Sequence, residues 1–213
     1  TQYTPEKGWD ENKLNMFRRH IIQLGSTGVF VIYDELEGKE AVTWSYLLHT
    51  VELPMEIQEL TDEVKVTGRN KAGGISVAHL FSSAKTGQAM VDTFFCAPTN
   101  WKNVTNAQGK AVKYPNHWHF TATSEKAQVY RFATVINTHA LKYPAKDPEI
   151  LSDGRIKVGG WLISVNLKSD GAPSFFIRST QEKVNITYKG EATVINEDGY
   201  ETVMRDTVPE LEI

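Results

Sequence analysis

Cysteine is nearly missing from this 213-residue chain. Cys96 stands alone, so neither an intramolecular disulfide nor a paired-cysteine zinc site can form. That excludes a small secreted scaffold held together by disulfides. Long apolar runs are missing too; stretches such as Val29–Tyr33 fall far short of the ~20 residues that cross a bilayer as a helix. Neither sign of charge dominates: 23 Lys+Arg face 26 Asp+Glu, a net of −3, which argues against a nucleic-acid-binding domain with its basic face. Glycine-rich phosphate loops, a Gly-x-Ser-x-Gly elbow and a nucleophile context around Cys96 are all absent. No unit of about 20–50 residues repeats, which excludes propellers and solenoids.

What remains is enough apolar material, 40% of residues, to build a core. Alternating β-branched and aromatic residues predict strands over Phe17–Leu24, Val29–Leu36, Val42–Thr50, Met55–Leu60, Glu63–Thr67, Gly74–Ser82 and Gln88–Phe95. The same pattern continues over Trp118–Ser124, Gln128–Ile136, Arg155–Val158, Trp161–Leu167, Ser174–Arg178, Lys183–Tyr188, Glu191–Asn196 and Tyr200–Arg205. Turn chemistry separates them at Gly25–Gly28, Glu37-Gly38-Lys39, Ser169-Asp170-Gly171 and Glu197-Asp198-Gly199, the Asp-Gly pair being a strong hairpin signal. A short helical turn around Asp10–Met16, capped by Asp10, is the one helix expected. Strands without a βαβ rhythm predict an all-β fold, a large antiparallel β-sandwich of supersandwich type. The expected division is a lead-in over 1–15 and one sandwich domain over 16–213. Thr1-Gln2-Tyr3-Thr4-Pro5 has neither an initiator Met nor the basic start and apolar centre of a signal peptide, so a beginning inside a longer protein, after processing or at an engineered boundary is expected.

Two long connections interrupt the pattern, Ala97–Asn116 and His139–Gly154. The first carries Trp101 and Tyr114 beside Asn100, Asn103 and Asn106, a combination that suits stacking on sugar rings and bonding to their hydroxyls. Trp9 and Tyr143 also sit in polar surroundings, whereas Trp44, Trp118 and Trp161 lie inside strands and are expected to pack. His117 and His119 are two residues apart on a strand and therefore share a face. They make either half of a zinc site, with a third ligand from another strand, or an ordinary polar strand face. His49, at the end of Trp44–Thr50, is read the same two ways.

The order Arg18-Arg19-His20-Ile21, then Val29–Leu36 with Asp34, then Tyr46-Leu47-Leu48-His49-Thr50 and Pro54 resembles the C-terminal β-sandwich of heparinase II/III-like polysaccharide lyases. The likeness is specific over about forty residues. It implies a periplasmic or secreted protein in which an N-terminal α/α toroid packs on the sandwich, and cleavage of uronic-acid-containing polysaccharide by β-elimination. It further implies a zinc ligand at His49; Asp34 matches the family strand and is expected to be structural. The toroid and the upstream Asn-His-x-His-x-Asp segment have no counterpart in the chain, so these 213 residues alone are expected to be inactive, with no catalytic residue assigned. The alternative from a different class is a non-catalytic carbohydrate-binding or structural module using Trp101 and Tyr114.

Overall fold

The computed structural model describes residues 14–25, 28–51, 53–59, 63–70, 73–80, 84–91, 105–110, 117–140, 142–143 and 146–205. The described residues form strands and turns and contain no helix, hence none long and apolar enough to cross a membrane. Among the described residues, fourteen strands build two antiparallel sheets, a β-sandwich.

Sheet I holds β1 (Leu14–Leu24), β2 (Val29–Val51), β3 (Glu56–Glu59), β4 (Glu63–Arg69), β5 (Gly73–Leu80), β6 (Ala84–Val91) and β7 (His117–Ala140). Its order is β1-β2-β7-β5-β4-β3, and β6 also pairs with β7. Sheet II is a meander of β8 (Glu149–Ile150), β9 (Ile156–Val158), β10 (Trp161–Asn166), β11 (Ser174–Ser179), β12 (Val184–Lys189), β13 (Ala192–Glu197) and β14 (Tyr200–Arg205).

Sheet I is organised by two very long strands. The turn expected at Glu37-Gly38-Lys39 does not form: β2 runs through it for 23 residues, and the register against β7 shifts between Glu37 and Val42 and again between Thr43 and Ser45. Gly38 does not take the positive φ of a reversing turn. The extra residues are absorbed as bulges, which bend a strand without turning it back. Ser124 fills part of the disturbed ladder, accepting from the Trp44 N–H at 2.9 Å and donating to the Glu125 carbonyl at 2.6 Å. Correspondingly, the two strands expected over Trp118–Ser124 and Gln128–Ile136 are one, the 24-residue β7. It takes in His139 and Ala140, so the second long connection starts later than expected, and it also carries the two-residue β8. The helical turn around Asp10–Met16 is also corrected in part. Leu14–Met16 belong to β1, pairing at Gly38 and Glu37, so the 15/16 domain boundary falls inside a strand; Asp10 lies outside the described residues.

Two apolar cores result. The first lies between the sheets, where Val29, Val31, Tyr33, Ala133 and Val135 meet Ile156, Ile163, Phe175, Ile177 and Tyr188. The second lies within sheet I, formed by Leu36, Trp44 and Tyr46 of β2, Val64 and Val66 of β4, Val77 of β5 and Phe120, Ala122 and Phe132 of β7. Strands from both flanks contribute, so sheet I curls over itself. Gln88 of β6 closes the curl by accepting from the Met55 N–H at 2.6 Å and donating to its carbonyl at 3.0 Å. Trp44 and Trp161 pack as expected.

Candidate functional site

The bulges of β2 decide which histidines meet. At one end of the ladder Val29 faces Asn137; past the bulges His49 faces His119. The two imidazoles stack with centroids 3.9 Å apart and planes 12° from parallel. His117 follows on the same face, two residues along β7. Burial first, and then the neighbouring histidines, hold His49 and His119 below the ordinary histidine value. Both rings are therefore neutral at neutral pH and can each accept a hydrogen bond.

The same His49 borders a groove of about 430 Å³ shared with Thr50, Arg69, Asn70, Ile75 and His139. His119 and His139 are 20 residues apart on one strand, ~66 Å if it were straight, yet His49 stacks on the first and shares this groove with the second. Only the curl of sheet I reconciles these facts. Gly68, Gly73 and Gly74 also line the groove, and neighbouring atoms pack too closely over them to admit a side chain. A Cβ on Gly68 would sit 2.7 Å from Thr50 Cγ2, one on Gly74 would sit 2.9 Å from His139 Nε2, and one on Gly73 would collide with the His139 carbonyl. His139 Nδ1 is buried with no hydrogen-bond partner among the described residues. The described lining residues include no acid, and Arg69 supplies a guanidinium.

A second polar constellation lies between the sheets and was not foreseen. Glu35 of β2 is 2% exposed. Its Oε1 is 2.8 Å from His20 Nε2, receives the Tyr188 hydroxyl at 2.6 Å and lies 3.8 Å from Arg18. Arg18 donates to the Tyr188 oxygen at 2.9 Å and to the Gly190 carbonyl at 3.0 Å. Burial alone would raise the Glu35 carboxyl; His20, Tyr188 and Arg18 outweigh it and hold the group below its usual range. Burial, then Glu35, pushes the Tyr188 phenol up. Nearby, Asp34 receives Arg19 bidentately at 2.6 and 2.7 Å, the structural role expected for it. Buried Arg131 caps the carbonyls of Lys168 and Gly171, pinning the Ser169–Gly171 turn to β7. Tyr33, raised to about 12 chiefly by burial, donates to the Asn166 carbonyl at 2.7 Å. A signal did exist in sequence: Arg18-Arg19-His20 and Asp34-Glu35 carry opposite charges on strands joined in a hairpin, and the register sets Arg19 opposite Asp34 and Arg18 opposite Glu35.

Among the expected site residues, the structure joins His49 to His119 and brings His139 to the same groove. Trp101 and Tyr114, like Trp9, Asn100, Asn103 and Cys96, lie outside the described residues. Tyr143 is exposed, with Lys142 Nζ 5.0 Å from its ring centroid. A zinc ion at His49 does not fit the pair as arranged. Imidazole lone pairs lie in the ring plane, so two parallel stacked rings present faces, not donors, to the space between them. Among the described residues no group of three His, Cys, Asp or Glu side chains converges on one point. No known protein family and no curated protein matches this chain.

Proposed function

We propose that the chain is the β-sandwich of a heparinase II/III-like lyase and supplies one wall of a cleft for uronic-acid-containing polysaccharide, the other wall being an α/α toroid. The order Arg18, Asp34, His49 supports the family. The observation that carries the substrate class is the groove lined by Arg69, Asn70 and the His49 and His139 imidazoles, with no acid among its described lining residues. An arginine fork matches a carboxylate, and amide and imidazole groups match sugar hydroxyls. The neutral His49 imidazole accepts a proton or a hydrogen bond at neutral pH, which suits a reaction that begins by taking a proton beside a carboxylate. The reading places the chain in the periplasm or outside the cell, and routes no step through a metal.

Two measurements test it. Calorimetric titration with uronate oligosaccharides is expected to show binding that Arg69→Ala abolishes; absence of binding removes the substrate class. The ultraviolet absorbance of an unsaturated uronate is expected to stay flat when these 213 residues alone meet polymer, and sustained turnover refutes the need for a toroid. Trp101→Ala separates the alternative, a carbohydrate-binding module, because that reading loses all binding with Trp101 whereas the groove retains it.

A further inference from the structure

β14 is the outer strand of sheet II, and all six of its residues are exposed. Tyr200 is 81% exposed, Val203 46% and Met204 51%. Among the described residues the strand thus offers two open faces and an edge that no other strand pairs, the feature by which sheets extend onto other chains. Which groups occupy that edge follows from the hairpin. Asp198 and Gly199 form a two-residue turn with φ of 48° and 88°, the type I′ geometry, between the paired residues Glu197 and Tyr200. Residues flanking such a turn exchange both backbone bonds, and the pattern then alternates. Tyr200, Thr202 and Met204 therefore bond inward to β13, and the N–H and C=O groups of Glu201, Val203 and Arg205 point outward.

We infer that β14 pairs antiparallel with β14 of a second copy, centred on Val203. In that register Glu201 faces the second copy's Arg205, Arg205 faces its Glu201, and Val203 faces its counterpart. Every pair consists of outward-pointing residues, so three pairs exchange two bonds each, about six backbone hydrogen bonds. Both charge pairs are cross-strand neighbours of opposite sign. Centring one residue pair away, on Thr202 or Met204, loses an outward pair and sets a charge opposite Val203. Centring between residues matches outward groups with inward ones. The edges at β1, β3 and β8 lack this self-complementarity. β1 would bring Arg18, Arg19 and His20 against themselves, β3 carries Glu56 and Glu59 at its ends, and β8 has only two residues. The symmetric pairing yields a closed two-fold dimer, not a filament. It is independent of the lyase reading.

Sedimentation equilibrium up to about 1 mM protein is the test. The parent chain is expected to double its mass. Glu201→Arg and Arg205→Glu each set like charges opposite one another twice and are expected to weaken the dimer ~10-fold or more. The double variant E201R/R205E restores both pairs and is expected to recover parental association. Val203→Pro removes an outward N–H that β13 does not use, and is expected to give a monomer with unchanged circular dichroism. A chain that stays monomeric throughout, a dimer indifferent to the single reversals, or single-variant monomers that the double swap does not rescue would each overturn the proposal.

Discussion

Tyr188→Phe is the sharpest probe of how the two sheets are held together. The substitution removes one oxygen and keeps the ring, which lies 5.2 Å from Phe175 and 4.2 Å from His20 between centroids. Apolar packing is thus preserved, and the change reports on the polar network alone. The hydroxyl donates to an ionised carboxylate that is 2% exposed and whose other oxygen has no hydrogen-bond partner among the described residues. His20 remains as a donor to Glu35, and Arg18 keeps the Gly190 carbonyl, so the loss is two charge-assisted bonds, one donated to Glu35 and one accepted from Arg18, about 2–4 kcal/mol at neutral pH. For a chain of this size that corresponds to a melting temperature lower by roughly 4–16 °C. The pH dependence identifies the cause. Glu35 sits below its ordinary value of 4.5 in the folded state, so its ionisation contributes stability that is present above 4.5 and lost as pH falls through the folded value. Without the hydroxyl the folded value rises, and the deficit of the variant must shrink as the carboxyl is protonated. Thermal unfolding followed by circular dichroism, at neutral and acid pH, measures both. A variant within about 0.5 kcal/mol of the parent at neutral pH, or a deficit equally large in acid, refutes the reasoning.

The remaining predictions concern the groove and the pins around it. His49 and His119 are depressed below 6.5 in the folded state, so their contribution is complete above 6.5 and falls as pH drops below it; His119→Gln is expected to flatten that part of the urea-unfolding profile, and an unchanged slope argues against coupling. Gly74→Ala places a Cβ 2.9 Å from His139 Nε2 and 3.0 Å from the Gly68 carbonyl; about 1–3 kcal/mol of destabilisation and loss of oligosaccharide binding are expected by melting and titration. Arg131→Met removes the cation that caps two carbonyls, with about 3 kcal/mol lost and faster hydrogen exchange over 168–171.

Sheet II was largely readable from sequence because its strands are short, consecutive neighbours joined by tight turns. The Asp198-Gly199 hairpin forms where an Asp-Gly pair favours two positive φ values. Sheet I was not, and β2 shows why. A bulge uses ordinary residues, so Glu37-Gly38-Lys39 carries the composition of a turn while the chain passes straight through it. The consequence reaches the site. Extending the Val29–Asn137 register without bulges would put His49 opposite His117, not His119. The His-x-His spacing revealed a shared face, but its partner depended on irregularities that leave no mark in sequence. The Glu35 network escaped for a related reason. Tyr33, Asp34, Glu35 and Leu36 are all buried because β2 has a core on each side there, and strict alternation presumes only one.

The same two strands set the order of events when the chain folds. β2 and β7 run through both cores, and their ladder joins residues as far apart as Val29 and Asn137. Neither core can close before residue 137 has been made, and neither can open while the ladder holds. Unfolding should therefore be a single transition in which both cores melt together. Folding should be slow, limited by a distant strand pairing and not by local hairpins. During synthesis the β1–β2 hairpin must wait with its inner edge unpaired for roughly ninety residues, a span of several seconds at ribosomal speed. The charged run Arg18-Arg19-His20 on one strand and Asp34-Glu35 on the other gives that waiting hairpin an early grip on itself before either core exists.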